Sequence, residues 1–274
     1  MPTARVNGTT LYYETGGGGP DCVALHGGLG FDHQHLKRTL QPLEARMRML
    51  YVDHRGNGRS GRPDLDTLTM EQLADDVAGL MDALDIAQAV VVGHSYGGFV
   101  AQEFALRHPT RLRGLVLVDT TPGQLGTTES ANDPQGPPIP EAMSALMSTV
   151  PASDAELVAL AAKMLPFYLH RAEPADVAPV FEGTIFCAGA MVRGFEVLQH
   201  WSSVDRLHAI AAPTLLLWGR HDLVCSVPQS ARIASRIPRS ETVIFEDSGH
   251  FPWLEEAGAF FAAVGDWLER HALA

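Results

Sequence analysis

The stretch Ala89-Val90-Val91-Val92-Gly93-His94-Ser95-Tyr96-Gly97 joins an apolar run to a serine flanked by glycines. The apolar run predicts a buried strand, and the helical pattern that continues to about residue 108 predicts a helix. A serine in G-x-S-x-G at a strand-to-helix turn is typical of a nucleophile held at strained backbone angles. Glycine is needed on both sides because a Cβ atom there would collide with neighbouring backbone. The stretch therefore predicts Ser95 as a catalytic nucleophile.

Two further polar residues follow predicted strands later in the chain. Asp222 comes after the apolar run 214–218, and His250 comes after the run 242–245. Open parallel sheets gather their active sites at the carboxyl ends of the strands, so we expect the acid and the base to meet the serine there. Asp119 also ends an apolar run and is an alternative acid. We expect Asp119 to be a structural hydrogen-bonding group near the turn instead.

The order serine, aspartate, histidine along the chain resembles the α/β-hydrolase family, over nearly all of the sequence except its middle. A further motif, His26-Gly27-Gly28-Leu29-Gly30, follows the apolar run 22–25. The resemblance implies that this loop helps to stabilise the oxyanion that forms when the serine attacks a carbonyl group. It implies two oxyanion donors, the backbone amides of Gly28 and Tyr96.

Apolar runs alternate with helical patterns on both sides of this region, which predicts a mostly parallel sheet covered by helices on both faces. We expect eight strands, the first two forming an antiparallel hairpin around Asn7-Gly8. We assign residues 1–121 and 206–274 to this α/β-hydrolase core and residues 122–205 to a helical cap. The cap would begin with an irregular segment, 122–140, rich in proline and glycine.

Local signals within the core define several helices. The stretch Thr69-Met70-Glu71-Gln72 predicts a helix that begins with a capping box. Another helix is predicted over 31–43. The last helix carries an apolar and aromatic stripe that predicts core packing. Within the cap, helices are predicted over 141–149 and 154–165, with one or two more between 174 and 201.

Composition excludes several classes of function. The net charge is −12 and no block of lysine or arginine occurs, so we expect no nucleic-acid partner and no membrane partner. The three cysteines are far apart, which argues against a disulfide framework and points to a reducing cytoplasm. The nearest approach to a metal motif is Asp32-His33-Gln34-His35, which lacks further ligands. We therefore expect no metal and no cofactor.

The sequence does not decide between the substrates of two branches of the family. The loop 26–30 and the stretch 53–60 resemble proline iminopeptidases, which bind a free amine through glutamates. Glu182 and Glu196 are the candidate amine ligands, although exposed acidic residues are most often only surface groups. Leu223 stands where that branch often carries another glutamate. The stretch from Gly93 to Gly98 suits carboxylesterases and lactonases at least as well.

The sequence thus predicts a serine hydrolase that cleaves a small ester, lactone or amide through an acyl-enzyme. An aminopeptidase that releases N-terminal proline from a short peptide is the alternative, and a ligand receptor on the same fold is a further one. The candidate substrate-binding residues are Leu29, Glu182, Glu196, Leu223 and Trp201. For an esterase or lactonase we also expect Phe167, Phe186 and Phe195 to shape the acyl pocket.

Overall fold

The computed structural model describes residues 2–123 and 138–274, so most of the predicted irregular segment 122–140 lies outside the described residues. Eight strands form one sheet in the order β1-β2-β4-β3-β5-β6-β7-β8. The first two pairings, β1 with β2 and β2 with β4, are antiparallel, and all the others are parallel. The strands are β1 Thr3–Val6, β2 Thr9–Gly16, β3 Asp21–Leu25, β4 Arg48–Val52, β5 Ala89–His94, β6 Leu112–Val118, β7 Thr214–Gly219 and β8 Ser240–Phe245.

The predicted hairpin and buried strands follow from local chemistry. Asn7 and Gly8 both have positive φ, 44° and 79°, which is the combination that a two-residue hairpin turn requires. All six residues of β5 are buried, as expected of a central parallel strand covered on both faces. The predicted mostly parallel, eight-stranded α/β fold is confirmed.

Ten α-helices lie in the described ranges. They are α1 Gln34–Thr39, α2 Met70–Ala83, α3 Tyr96–Arg107, α4 Glu141–Met147, α5 Asp154–Tyr168, α6 Pro174–Val177, α7 Ala188–His200, α8 Val227–Ala234, α9 Pro252–Glu255 and α10 Ala257–Arg270. The helix predicted over 31–43 is wrong in its extent, because α1 ends at Thr39 and a 3-10 helix, Gln41–Ala45, follows. Pro42 is consistent with the break, since proline has no backbone N–H to donate to the carbonyl four residues earlier, as a continued α-helix would require.

At the start of α2 only half of the predicted capping box forms. The Thr69 hydroxyl accepts a hydrogen bond from the Gln72 backbone N–H at 3.2 Å, as predicted. The Gln72 side chain turns away and donates instead to the Asp76 carboxylate at 3.1 Å. The helix therefore gains one cap, and Gln72 becomes part of a network around Asp76.

Two apolar layers cover the sheet. One lies between the sheet and helices α2 and α3 and contains Phe104 and Trp218. The other lies on the opposite face and contains Phe260 and Trp267 of α10, so the predicted stripe of the last helix is core. None of the helices in the described ranges combines the length and the apolar character that crossing a bilayer requires.

A buried ion pair fixes α2 to the loop after β4. Both nitrogens of the Arg55 fork donate to Asp76, Nε to Oδ2 and Nη2 to Oδ1, each at 2.6 Å. The two side chains are only 2% and 3% exposed. The neighbouring Asp75 pairs with Arg107 at the surface, where both side chains are about one third exposed.

Replacing Asp76 by alanine is expected to lower the free energy of unfolding by about 3–5 kcal/mol, because the buried Arg55 charge loses its partner. Asp75→Ala is the matched control and should cost only about 0.2–1 kcal/mol, the range for exposed ion pairs. Urea unfolding of both variants provides the comparison. Equal effects of the two substitutions would show that burial of the Arg55–Asp76 pair does not govern its contribution.

Candidate active site

Ser95 lies at the turn between β5 and α3, with φ 49° and ψ −114°. This conformation is rare for a residue with a side chain, and the surroundings hold it. The Ser95 N–H donates to the Val118 carbonyl at 3.0 Å, and the Ser95 carbonyl accepts from the Thr120 hydroxyl at 2.8 Å. A Cβ atom on Gly97 would overlap the carbonyl group of Leu25. The backbone therefore presents the half-buried serine side chain at the carboxyl end of the sheet.

His250 and Asp222 meet next to this turn. His250 Nδ1 donates to Asp222 Oδ2 at 2.8 Å, and both side chains are buried. The other carboxylate oxygen, Oδ1, accepts from the backbone N–H groups of Val224 at 2.7 Å and Cys225 at 3.0 Å. The carboxylate is therefore fixed on both sides, and it in turn fixes the orientation of the imidazole.

The backbone of His250 is held from two directions. Its N–H donates to the carbonyl of Tyr168, the last residue of α5, at 2.7 Å. Its carbonyl accepts from His94 Nε2 at 3.1 Å, so the His94 proton lies on Nε2. Burial and the neighbouring His250 hold the pKa of His94 well below its ordinary value. His94 is therefore a neutral structural donor.

Asp119, the alternative acid, does not bond to the histidine. Its backbone is at φ 43°, and its Oδ1 accepts from the Gly219 N–H at 3.0 Å. Its Oδ2 is buried without a hydrogen-bond partner. Burial and the nearby charge of Asp222 hold the pKa of Asp119 well above its ordinary value. Asp119 is thus a neutral acid that supports β7.

The loop 26–30 lies against the serine. A Cβ atom on Gly27 would approach the Ser95 Cβ atom to 3.0 Å. Gly28 has φ 78°, a conformation that favours glycine, and lies against the ring of Phe31. Gly28 and Tyr96, whose amides are the predicted oxyanion donors, both line the same cavity as Ser95. The loop is thus positioned beside Ser95.

The cavity above Ser95 has a volume of about 280 Å³, and apolar surface dominates its walls. Helix α5 contributes Leu157, Leu160, Ala161 and Met164, which share one helix face. The lining contains no aspartate, glutamate, lysine or arginine among the described residues. His35 also lines it, and burial lowers the pKa of His35 to about 3, so this histidine carries no charge. The cavity suits an uncharged, apolar group.

The predicted substrate-binding residues divide between the cavity and the surface. Leu29 and Phe195 line the cavity. Glu182 and Glu196 are exposed and outside this lining, and Glu196 pairs with Arg193 at 3.2 Å. Neither glutamate belongs to the described lining of this cavity, so a contact between them and the substrate stays a prediction.

The remaining predicted pocket residues pack elsewhere. Trp201 packs on Phe99, and its indole N–H donates to Glu103 at 2.9 Å. Leu223 packs in a small cluster with Met143, and Phe167 belongs to the same cluster. Phe186 packs edge-to-face on Phe31, which itself lines the cavity. The structure thus gives Trp201, Leu223, Phe167 and Phe186 packing roles instead of positions in the cavity lining.

Sequence reasoning missed the face of α5 and the residue Tyr168. The apolar spacing of Leu157, Leu160 and Met164 was a usable signal, because residues three and four apart share one face of a helix. Tyr168 continues this spacing, lines the cavity and packs on the ring of His250 with the ring centroids 5.3 Å apart, whereas no sequence pattern indicates the hydrogen bond that its backbone carbonyl accepts. That hydrogen bond depends on how the end of α5 packs against the loop containing His250.

Comparison with known proteins shows to which family a chain with this fold belongs. A model of the alpha/beta hydrolase fold family matches residues 23–257, and the chain belongs to this family. The 2-hydroxymuconate semialdehyde hydrolase of Pseudomonas sp. (strain CF600) is 29% identical over 94% of this chain and 90% of that protein. Proline iminopeptidase PfmaB of Pestalotiopsis fici is 27% identical over 97% of this chain and 98% of that protein.

A solved structure is also similar to this chain over nearly its whole length. The enol-lactonase from Burkholderia xenovorans LB400 aligns with a TM-score of 0.79 and 28% identity. The alignment covers 98% of this chain and 100% of that one. The similarity therefore extends over the whole core, including the strands that hold Ser95, Asp222 and His250.

Asp119→Asn is expected to become more stable relative to the wild type as the pH rises from 5 to 7. Above about pH 4 the unfolded Asp119 has lost its proton, whereas the raised pKa of the folded group means that it loses its proton only at higher pH, so raising the pH favours the unfolded wild type. Asparagine does not titrate. The difference in unfolding free energy should grow by up to about 1.4 kcal/mol per pH unit, measured by urea unfolding. A difference independent of pH would contradict the neutral state of Asp119.

Proposed function

We propose that this protein is a serine hydrolase that cleaves small, uncharged esters or lactones through an acyl-enzyme intermediate. The observation that carries the proposal is the cavity itself. It is lined by Ser95 and His250, and it has no charged acidic or basic side chain among the described residues of its lining. The bond between His250 and Asp222 supplies the orienting interaction that a catalytic histidine requires.

In this mechanism His250 Nε2 takes the hydroxyl proton of Ser95 while the serine oxygen attacks the carbonyl carbon. The amides of Gly28 and Tyr96 stabilise the negative charge on the carbonyl oxygen. His250 then gives its proton to the leaving alcohol, and the acyl group remains on Ser95. A water molecule, activated by the same imidazole, releases the acid and restores the serine. Asp222 stabilises the imidazolium at each stage without being protonated.

The chemistry of the cavity selects the substrate class. A charged group transferred into an apolar cavity loses hydration and needs a partner of opposite charge. An ester or lactone with an apolar acyl part has no such requirement. The solved structure of similar fold is named an enol-lactonase, and this name supports a lactone among the candidate substrates. The absence of charge from the substrate is inferred from the cavity lining alone.

An aminopeptidase that releases N-terminal proline is the second candidate, favoured by the name of the Pestalotiopsis relative. That activity requires a carboxylate beside the scissile bond to pair with the substrate amine. The described lining offers none, and Glu182 and Glu196 are exposed outside it. A ligand receptor on the same fold is a further alternative, which turnover of a simple ester would exclude.

Replacing Ser95 by alanine is expected to lower kcat for a short p-nitrophenyl ester by about 10³-fold or more, because the nucleophile is removed. Asp222→Asn should cost at least about 10²-fold, since the imidazole loses its orienting acceptor. Asp119→Asn is the matched control and should cost less than about tenfold, because Asp119 does not contact His250. Thermal unfolding establishes that each variant is folded. A larger loss with Asp119→Asn than with Asp222→Asn would transfer the role of the acid to β6.

The substrate class can be tested with a proline arylamide, its N-acylated form and a short p-nitrophenyl ester. We expect the ester to be the best substrate. Glu182→Gln and Glu196→Gln should change its turnover by no more than about twofold, as is usual for surface substitutions of about 0.5 kcal/mol or less. Efficient cleavage of the free proline arylamide, abolished by N-acylation, would establish the aminopeptidase instead.

A further inference from the structure

Cys225 lies beside the acid and the base of the candidate active site. Its sulfur, a carboxylate oxygen of Asp222 and a ring nitrogen of His250 all lie within 4.8 Å of one another. The three residues are buried, and the thiol is not engaged in a disulfide. Cys225 and His250 also line the cavity. The cavity thus reaches Cys225 and His250, and the Asp222 carboxylate lies buried behind them.

The three ligand atoms are spaced closely enough for one ion. Zinc lies about 2.0–2.3 Å from nitrogen, oxygen and sulfur ligands, so two ligands of one tetrahedral ion are about 3.3–3.8 Å apart. Side-chain movements of about 1 Å would bring atoms that lie within 4.8 Å of one another to these distances. The turn that joins Asp222 to Cys225 is already fixed, because the Cys225 N–H donates to Asp222 Oδ1 at 3.0 Å. The second carboxylate oxygen of Asp222, Oδ2, faces His250.

We propose that Asp222, Cys225 and His250 form a binding site for a soft divalent cation such as Zn²⁺, and that the bound cation inhibits the enzyme. Thiolate, imidazole and carboxylate are established zinc ligands, and the thiolate favours soft cations over Mg²⁺. Because Cys225 and His250 line the cavity, water from the cavity would complete the coordination of a bound ion. The inhibitory part of this inference rests on the proposed serine mechanism, whereas the binding part does not.

Inhibition follows from the tautomer of His250. The ion takes the place of the hydrogen bond between His250 Nδ1 and Asp222 Oδ2. The Cys225 thiol releases its proton to solvent and binds as a thiolate, and no electron is transferred. The neutral imidazole then carries its single proton on Nε2, the nitrogen that must accept the proton of Ser95. The base is thereby blocked while the metal is bound.

The direct test is Cd²⁺ titration of the reduced protein, followed by the ultraviolet charge-transfer absorption of a cadmium thiolate. We expect the band in the wild type and in the matched control Cys187→Ser, and no band in Cys225→Ser. This measurement is independent of hydrolysis. Absence of the band from the wild type, or its persistence in Cys225→Ser, would overturn the site whether or not the protein cleaves esters.

The second test measures ester hydrolysis as Zn²⁺ or Mg²⁺ is added, with each variant normalised to its own rate without metal. Zn²⁺ should inhibit the wild type and Cys187→Ser reversibly, with recovery on adding EDTA, and Mg²⁺ should not. Cys225→Ser should need at least about tenfold more Zn²⁺, because loss even of an outer partner weakens metal sites by about 10–100-fold. A cadmium band without zinc inhibition of an active enzyme would overturn the inhibitory role.

Discussion

The backbone of Ser95 is held at a φ and ψ that a residue with a side chain rarely adopts, and the site depends on this turn. A conformation of this kind costs about 1–3 kcal/mol and persists only where the surroundings over-determine it. Here the Val118 carbonyl and the Thr120 hydroxyl bind the two ends of the residue. The close approach of Gly97 to Leu25 leaves no room for an alternative path. The two strands on either side of β5, β3 and β6 with the residues that follow β6, thus hold the turn in this conformation.

The same sheet brings the acid and the histidine to the serine, but burial decides which groups can act. Two carboxylic acids, Asp119 and Asp222, lie in adjacent strand-end positions. Two ionised carboxylates so close together repel each other, and Asp119 stays neutral. Burial keeps His94 neutral too, and this histidine donates to the backbone of His250. The environment therefore gives residues of the same type different roles: Asp222 and His250 are the candidate acid and base, whereas Asp119 and His94 support them structurally.

The core of the fold and the three residues of the candidate triad could be predicted from the sequence because their signals are local. A glycine-flanked serine after an apolar run, and polar residues at strand ends, depend only on neighbouring residues. The lining of the cavity depends on how α5 and α7 pack over the sheet, which no short pattern encodes. Trp201 illustrates the difference. The sequence predicts it as a substrate-binding residue, yet its indole N–H donates to the buried carboxylate of Glu103.

The hydrogen bond from His250 to the carbonyl of Tyr168 has a consequence for how the protein responds to its ligands. Tyr168 ends the helix that forms one wall of the cavity, and His250 lines the same cavity. A displacement of that helix end therefore shifts the imidazole. Coupling between two equilibria is reciprocal. A ligand that orders the cavity wall also restrains the histidine, and the state of the histidine changes the affinity of the wall for its ligand.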